Sequence, residues 1–196
     1  MIIQIIATLL LAVFYITHIG KKHQMKRRNI HIDLLVNKAN TGKTATVQLA
    51  LKIITYITMA VQFASVIFAK FIWSLPAFPT MREDGLILMA LGTAFFITAM
   101  ATMNTNWRAG YKKGQDTNLV THGIYRYSRN PAFVGFDLLY IGCALAFPNP
   151  VNIAAALVSM VMFHIQILGE EQFLTDTFGR EYKDYKAKTM RYLGRR

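Results

Sequence analysis

The chain has 196 residues, of which 54% are hydrophobic, and a formal net charge of +12. A soluble single domain of that size would not bury so much apolar surface, so the composition points to a bilayer. The charge lies in segments flanking apolar runs, which favours anionic lipid headgroups and excludes a nucleic-acid partner, while a single cysteine, Cys143, excludes an intrachain disulfide framework and a thiolate metal site.

Five apolar runs, 2–19, 46–75, 85–103, 132–147 and 151–168, predict an all-α integral membrane protein with five transmembrane helices. The first three are long enough for the roughly 20 residues that cross a hydrocarbon core. The last two, at 16 and 18 residues, would read in isolation as a buried soluble hairpin, but the charge pattern makes them spans. Run 2–19 is followed by its basic residues Lys21, Lys22, Lys26, Arg27 and Arg28 and has no small-residue cleavage site, so it reads as an anchor rather than a signal peptide. His18, His23 and His31 lie beside these cations without metal-ligand spacing and read as interfacial. Thr41-Gly42-Lys43-Thr44 looks like the end of a phosphate-binding loop, but the earlier glycine falls at Asn37, leaving a polar turn. Lys52 and Lys70, inside the second run, are placed to snorkel.

Segments 20–44 and 105–131 and the tail from Gly169 carry seven, five and seven Lys or Arg, whereas 76–84 carries only Arg82 and the Pro148-Asn149-Pro150 turn none. By the positive-inside rule the richly basic connections face the cytoplasm and the amino terminus lies outside. Skipping either short helix would break that alternation.

The polar approach 115–120 leads to Gly123, a backbone turn, and to Tyr125, Arg126, Tyr127 and Arg129. Taken singly, these residues read as an aromatic belt with positive-inside anchors. Pro131 suits the first turn of the fourth span, with Asn130 as its N-cap and unpaired N–H groups able to receive an anion. Glu170 and Glu171 end the fifth span; adjacent carboxylates beside apolar chain repel one another and call for a purpose. The proline-rich turn folds the last two spans into an antiparallel hairpin, so Asn130 and Glu171 are predicted neighbours. Farther on, Phe178, Tyr182 and Tyr185 form one stripe of an amphipathic helix with basic flanks, either a surface helix or a lid. No two glycines lie within three residues of each other, so a Rossmann glycine turn is absent from the sequence.

As a set, Leu119-Val120-Thr121, Gly123, Tyr125, Arg129-Asn130-Pro131, Phe133 and Gly135, then Glu170-Glu171, Leu174, Phe178-Gly179, Tyr182 and Tyr185, resemble the cofactor-binding signature of a membrane enzyme family. That family comprises the isoprenylcysteine carboxyl methyltransferases and the related phospholipid methyltransferases; the resemblance, to a short prokaryotic-type member, covers 115–192. It implies an S-adenosylmethionine site formed by the last two spans and the carboxy-terminal helix and lined by Gln115, Thr117, Asn118, Leu119, Val120, His122, Tyr125, Asn130, Pro131, Ala132, Phe133 and Glu171. Glu171, Glu170 and Arg129 would be catalytic, the acids meeting the cofactor's ammonium and sulfonium and the arginine its carboxylate. Asn130 stands where the family has histidine and Phe133 where it has tyrosine; both still cap and pack. Ile167 stands where eukaryotic members carry a substrate-binding arginine, which leaves His164, Gln166 or a cation of 105–131 for an acceptor carboxylate.

The resulting expectation is a single membrane domain, with three spans and a basic connection over 1–105 and a catalytic methyltransferase region over 106–196. It would transfer a methyl group to a lipophilic small molecule or prenylated cysteine at the membrane-cytosol boundary, in the cell membrane if the chain is prokaryotic. Three alternatives share parts of the pattern: phospholipid N-methyl transfer, NADPH-dependent reduction of isoprenoid or sterol double bonds, and a non-catalytic transporter or scaffold. The first would act on an amine that must lose a proton, the second would want more cations for the extra phosphate, and the third leaves Asn130 and Glu171 without a role.

Overall fold

The computed structural model describes residues 1–27, 43–76, 78–106 and 118–195. Within them, six α-helices follow one another: α1 (Ile2–Arg27), α2 (Lys43–Ile67), α3 (Pro79–Met103), α4 (Pro131–Ala146), α5 (Pro150–Phe178) and α6 (Arg180–Lys188). Short 3₁₀ turns occupy Asn104–Asn106 and Gly123–Arg126, and the β pairing among the described residues is one isolated bridge, Thr189 to Arg195. The all-α expectation is met.

Among the described residues, four helical stretches are long and apolar enough to cross a membrane: Ile2–Met25, Ala45–Ile67, Thr80–Asn106 and Pro150–Phe178. The 16 residues of α4 extend about 24 Å at 1.5 Å per residue, short of a core about 30 Å thick. Apolar residues cover both sides of the helices. On α1, Ala7, Leu11 and Phe14 are buried, while Ile2, Ile5, Leu9, Val13 and Ile16 face outward; α5 likewise exposes Val151, Leu157, Val158 and Val161. A helix that is apolar all round and yet exposed is solvated by lipid, which makes this a multi-pass membrane protein.

Two boundaries differ from the hydropathy pattern. The second run stops being helical at Ile67, and its tail turns back so that the Leu75 N–H donates to the Pro148 carbonyl at 2.7 Å. The fifth run continues as helix to Phe178 although Gly169, Thr175, Asp176 and Thr177 are poor helix formers; burial of Glu171 against Arg191 of the tail accompanies the extension.

Between α4 and α5 the sequence dictates a tight reversal. Asn149 accepts a hydrogen bond from the Asn152 N–H at 2.9 Å, capping α5, with Pro150 in its first turn. Asn152 in turn donates to the Cys143 and Phe147 carbonyls at 3.1 and 3.2 Å, satisfying the end of α4. The predicted hairpin therefore forms, and it brings the start of α4 beside the last turns of α5.

The most intimate helix pair is α3 with α4. Gly85 and Gly92 on α3 face Gly142 and Gly135 on α4, each pair seven residues apart on antiparallel helices. A Cβ built on Gly142 would lie 2.5 Å from the Gly85 carbonyl oxygen, and one on Gly92 would lie 2.6 Å from that of Gly135. Backbone therefore meets backbone, the close approach that small residues permit where lipid removes the hydrophobic drive for association. Elsewhere polar pairs tie the helices: Tyr15 donates to Gln62 at 2.7 Å between α1 and α2, and Thr58 and Ser159 meet at 2.7 Å between α2 and α5. Phe14, Phe96 and Phe136 stack edge and face at the common centre.

Candidate functional site

The site is assembled by the stretch just before α4, the end of α5 and the tail after α6. Gly123, at φ +60°, opens the 3₁₀ turn in a conformation that glycine adopts without steric cost and packs on Thr102 of α3. Tyr125 is buried from that turn against Val120 and Ala99, and burial pushes its phenol above its ordinary pKa. Ser128 accepts from the Asn130 N–H at 3.0 Å, and the chain then enters α4 through Pro131.

Arg129 and Glu171 meet as buried partners. The guanidinium donates to Glu171 Oε1 through Nη2 at 2.6 Å and Nε at 3.2 Å, and its Nη1 reaches the Thr189 carbonyl at 2.7 Å. Arg191 completes the cluster, with Nη2 donating to Glu171 Oε2 at 3.0 Å and Nε to Oε1 at 3.1 Å. The Glu171 carboxylate in turn raises the Arg191 pKa above its ordinary value. Main-chain bonds run in parallel: the Arg129 N–H donates to the Met190 carbonyl at 3.0 Å and the Gly194 N–H to the Tyr127 carbonyl at 2.8 Å. Tyr185 donates to the Tyr125 carbonyl at 2.6 Å. The tail is thus stitched over the entrance to α4.

Asn130 and Glu171 are neighbours as expected, 3.5 Å apart, but the N-cap expectation is corrected. Asn130 occupies the capping position without a side-chain cap bond; its amide turns away and donates to the Arg191 carbonyl at 3.1 Å. The stripe Phe178, Tyr182 and Tyr185 is also corrected, because Gly179, at φ +53°, breaks the helix after Phe178. Tyr182 and Tyr185 are buried from α6 as a pair, with the Tyr182 phenol pushed up to about 12, chiefly by burial.

Beside this cluster a cavity of about 160 Å³ opens among α1 to α5. Of the residues of the signature and its implied site, Tyr125, Arg129, Asn130, Ala132, Phe133, Gln166, Glu170 and Leu174 line it. Glu170 accepts from Gln166 at 2.9 Å and faces the cavity, while its neighbour Glu171 faces the arginines. Val120 and Pro131 are buried next to these residues, Leu119 is half-buried, and Asn118 and His122 are exposed. Gln115 and Thr117 lie outside the described residues. Ile167 is fully buried away from the cavity lining, and His164 pairs with the Tyr192 hydroxyl at 2.6 Å rather than facing the cavity.

Several lining residues carried no such expectation. Lys22 and Lys52 reach the cavity, and His18, assigned to the interface by its basic neighbours, stands in the wall against Phe96 and Phe136. Arg191 was visible only as one of many tail cations. No local signal distinguishes it, because its role depends on the tail crossing back over α4. For Lys52 the signal was position, a cation inside an apolar run; Lys22, just past the first run, carried none.

Residues 81–181 match the family described as phospholipid methyltransferase. The protein-S-isoprenylcysteine O-methyltransferase of Tribolium castaneum is 36% identical over 120 residues, which cover 57% of this chain and 43% of that protein. The enzyme of the same name from Dictyostelium discoideum is 34% identical over 105 residues, covering 52% and 44%, and that of Mus musculus 32% over 111 residues, covering 55% and 39%. The chain therefore spans less than half the length of each of these three relatives.

Proposed function

Because the chain belongs to the phospholipid methyltransferase family, we propose that it transfers a methyl group from S-adenosylmethionine to a lipophilic acceptor, with the carboxylate of an isoprenylcysteine-like compound as that acceptor. The observation that carries this reading is one cavity lined by an acid, Glu170, and a cation, Arg129, above an apolar interior of Phe133, Phe136 and Phe163. That donor set suits a zwitterionic nucleoside with an extra positive charge: Glu170 for its cations, Arg129 for its carboxylate, and Ala132, Phe133 and Leu174 against its apolar surface. S-adenosylmethionine, when bound, supplies a methyl already activated on a sulfonium, so that an acceptor oxygen forms its bond to carbon as the carbon–sulfur bond breaks and S-adenosylhomocysteine leaves.

This chain's residues then orient and exclude. Arg129 is held rigid by Glu171 and Thr189, so it presents a fixed charge at little entropic cost. Tyr125 and the tail over it keep bulk water from the polar end. A carboxylate acceptor needs no general base, in keeping with a site whose acid serves to bind. In this reading α4 is a fifth, short span, the basic connections and the cavity mouth face the cytoplasm, and 106–196 form the catalytic part of one membrane domain.

The test is calorimetric titration of detergent-purified protein with S-adenosylhomocysteine, with NADPH as matched control. Saturable binding of the former alone is expected; binding of NADPH alone would assign a reductase, and binding of neither a non-enzyme. Glu170→Gln removes a charge-assisted contact and is expected to weaken S-adenosylhomocysteine at least about tenfold without changing the unfolding temperature. Unchanged affinity would remove Glu170 from the site.

A further inference from the structure

We infer that Lys22 of α1 and Lys52 of α2 form a cationic clamp for the anionic head of the acceptor, whose apolar chain occupies the deep end of the same cavity. The inference rests on the methyl-transfer reading and adds to it the acceptor's subsite.

Each of the two helices presents one stripe to the cavity. On α2 it runs Lys52, Thr55 or Tyr56, then Met59; on α1 it runs Lys22, Ile19 or His18, then Tyr15. Both follow the spacing of three or four residues that places side chains on one helix face. Two hydrogen bonds set the levels. Tyr15 to Gln62 aligns α1 antiparallel to α2, and Thr58 to Ser159 aligns α2 with α5, so that Lys52, six residues before Thr58, stands near Gln166, seven beyond Ser159. Lys22, Lys52, Gln166 and Glu170 therefore share the polar end, while Met59, Phe136 and Phe163 share the other. The cavity has a charged head and an apolar floor, the shape of an amphiphile.

The other walls offer an anionic head little. From α5 the lining residues are Phe163, Gln166, Glu170 and Leu174, none of them cationic, and Arg129 is the cation given above to the cofactor's carboxylate. Lys52 lies nine residues into α2, about 14 Å along the axis, where an ionisable side chain is costly enough to mark a functional position. It lines the cavity rather than merely extending along the lipid face toward water, which is where snorkelling alone would send it. A carboxylate on a prenylated cysteine and the phosphate of a phospholipid offer the same chemistry here.

Calorimetry with S-adenosylhomocysteine present would compare N-acetyl-S-farnesylcysteine with its neutral carboxamide, in wild type, Lys22→Met, Lys52→Met and the double variant. Wild type is expected to prefer the carboxylate by about tenfold or more, and the double variant to bind both alike, with S-adenosylhomocysteine affinity unchanged. A parallel titration with phosphatidylethanolamine vesicles separates the sources: lysine-dependent binding there, without farnesyl binding, would keep the clamp and assign it a phosphate. A carboxylate preference that survives in the double variant, or no lysine-dependent binding of either lipid beside intact S-adenosylhomocysteine binding, would overturn the clamp. Failure of wild type to bind S-adenosylhomocysteine would instead overturn the methyl-transfer reading on which the clamp rests.

Discussion

Glu171→Ala is expected to destabilise the protein by about 3–5 kcal/mol and to abolish S-adenosylhomocysteine binding, because the mutation strands a buried guanidinium. Arg129 loses two of its donated hydrogen bonds, Arg191 loses both, and Asn130 loses one of its acceptors. With that anchor gone, the tail is held by neutral contacts and by the donation of Arg129 to the Thr189 carbonyl, a bond that no longer has a carboxylate to fix the guanidinium. Thermal unfolding in detergent and limited trypsin cleavage at Lys186, Lys188 and Arg195 would report the two effects. The double variant Glu171→Ala with Arg129→Met separates charge from packing. It is expected to recover much of the stability, since an apolar replacement of a buried pair is often neutral, while binding stays lost. A single variant that unfolds at the wild-type temperature would show that the cluster does not hold the tail.

Gly142→Ala is expected to destabilise by about 1–3 kcal/mol, the scale of overpacking, although the change adds one methyl and raises helix propensity. The new Cβ would stand 2.5 Å from the Gly85 carbonyl oxygen and 2.7 Å from the Met89 nitrogen, both backbone atoms with no rotamer to retreat into. Gly20→Ala, the same chemical change on α1 with nothing within 4 Å, is expected to gain about 0.5–1 kcal/mol. Opposite shifts of the unfolding temperature for the two variants would establish the backbone contact; equal shifts would refute it.

The proline-bounded turn, the helical apolar runs and the adjacency of Asn130 to Glu171 were legible because each follows from local chemistry: a capping asparagine, hydropathic length and hairpin closure. The resemblance drew attention to 115–135 and the two glutamates, and much of that set converges on one cavity and its flank. Arg191 and the seating of the tail were not legible, since a hydrogen bond across 20 residues of chain leaves no periodicity to read. The matched spacing of Gly85 with Gly92 and of Gly135 with Gly142 was a signal available and unused. Asn130 departs from its expected cap because its side chain is oriented by donation of its amide N–H toward Glu171 at 3.5 Å and to the Arg191 carbonyl at 3.1 Å, the latter on a tail that returns from 61 residues away. Lys52 shows the limit of treating a cation in an apolar run as anchoring: the cavity it lines is built largely by other helices.

Glu170 and Glu171 are consecutive, yet they point about 100° apart around α5. One looks into the cavity and the other into the arginines of the tail. The rotational phase of a single rod therefore addresses two compartments at once, and α5 runs unbroken from Pro150 to Phe178, so nothing between the proline turn and Gly179 can absorb a slip. A one-residue insertion after Phe163 would swing the first acid toward the arginines, carry the second past them and empty the cavity of its carboxylate. The length of chain between the proline hinge and the acid pair is in that sense as much a part of the site as the acids.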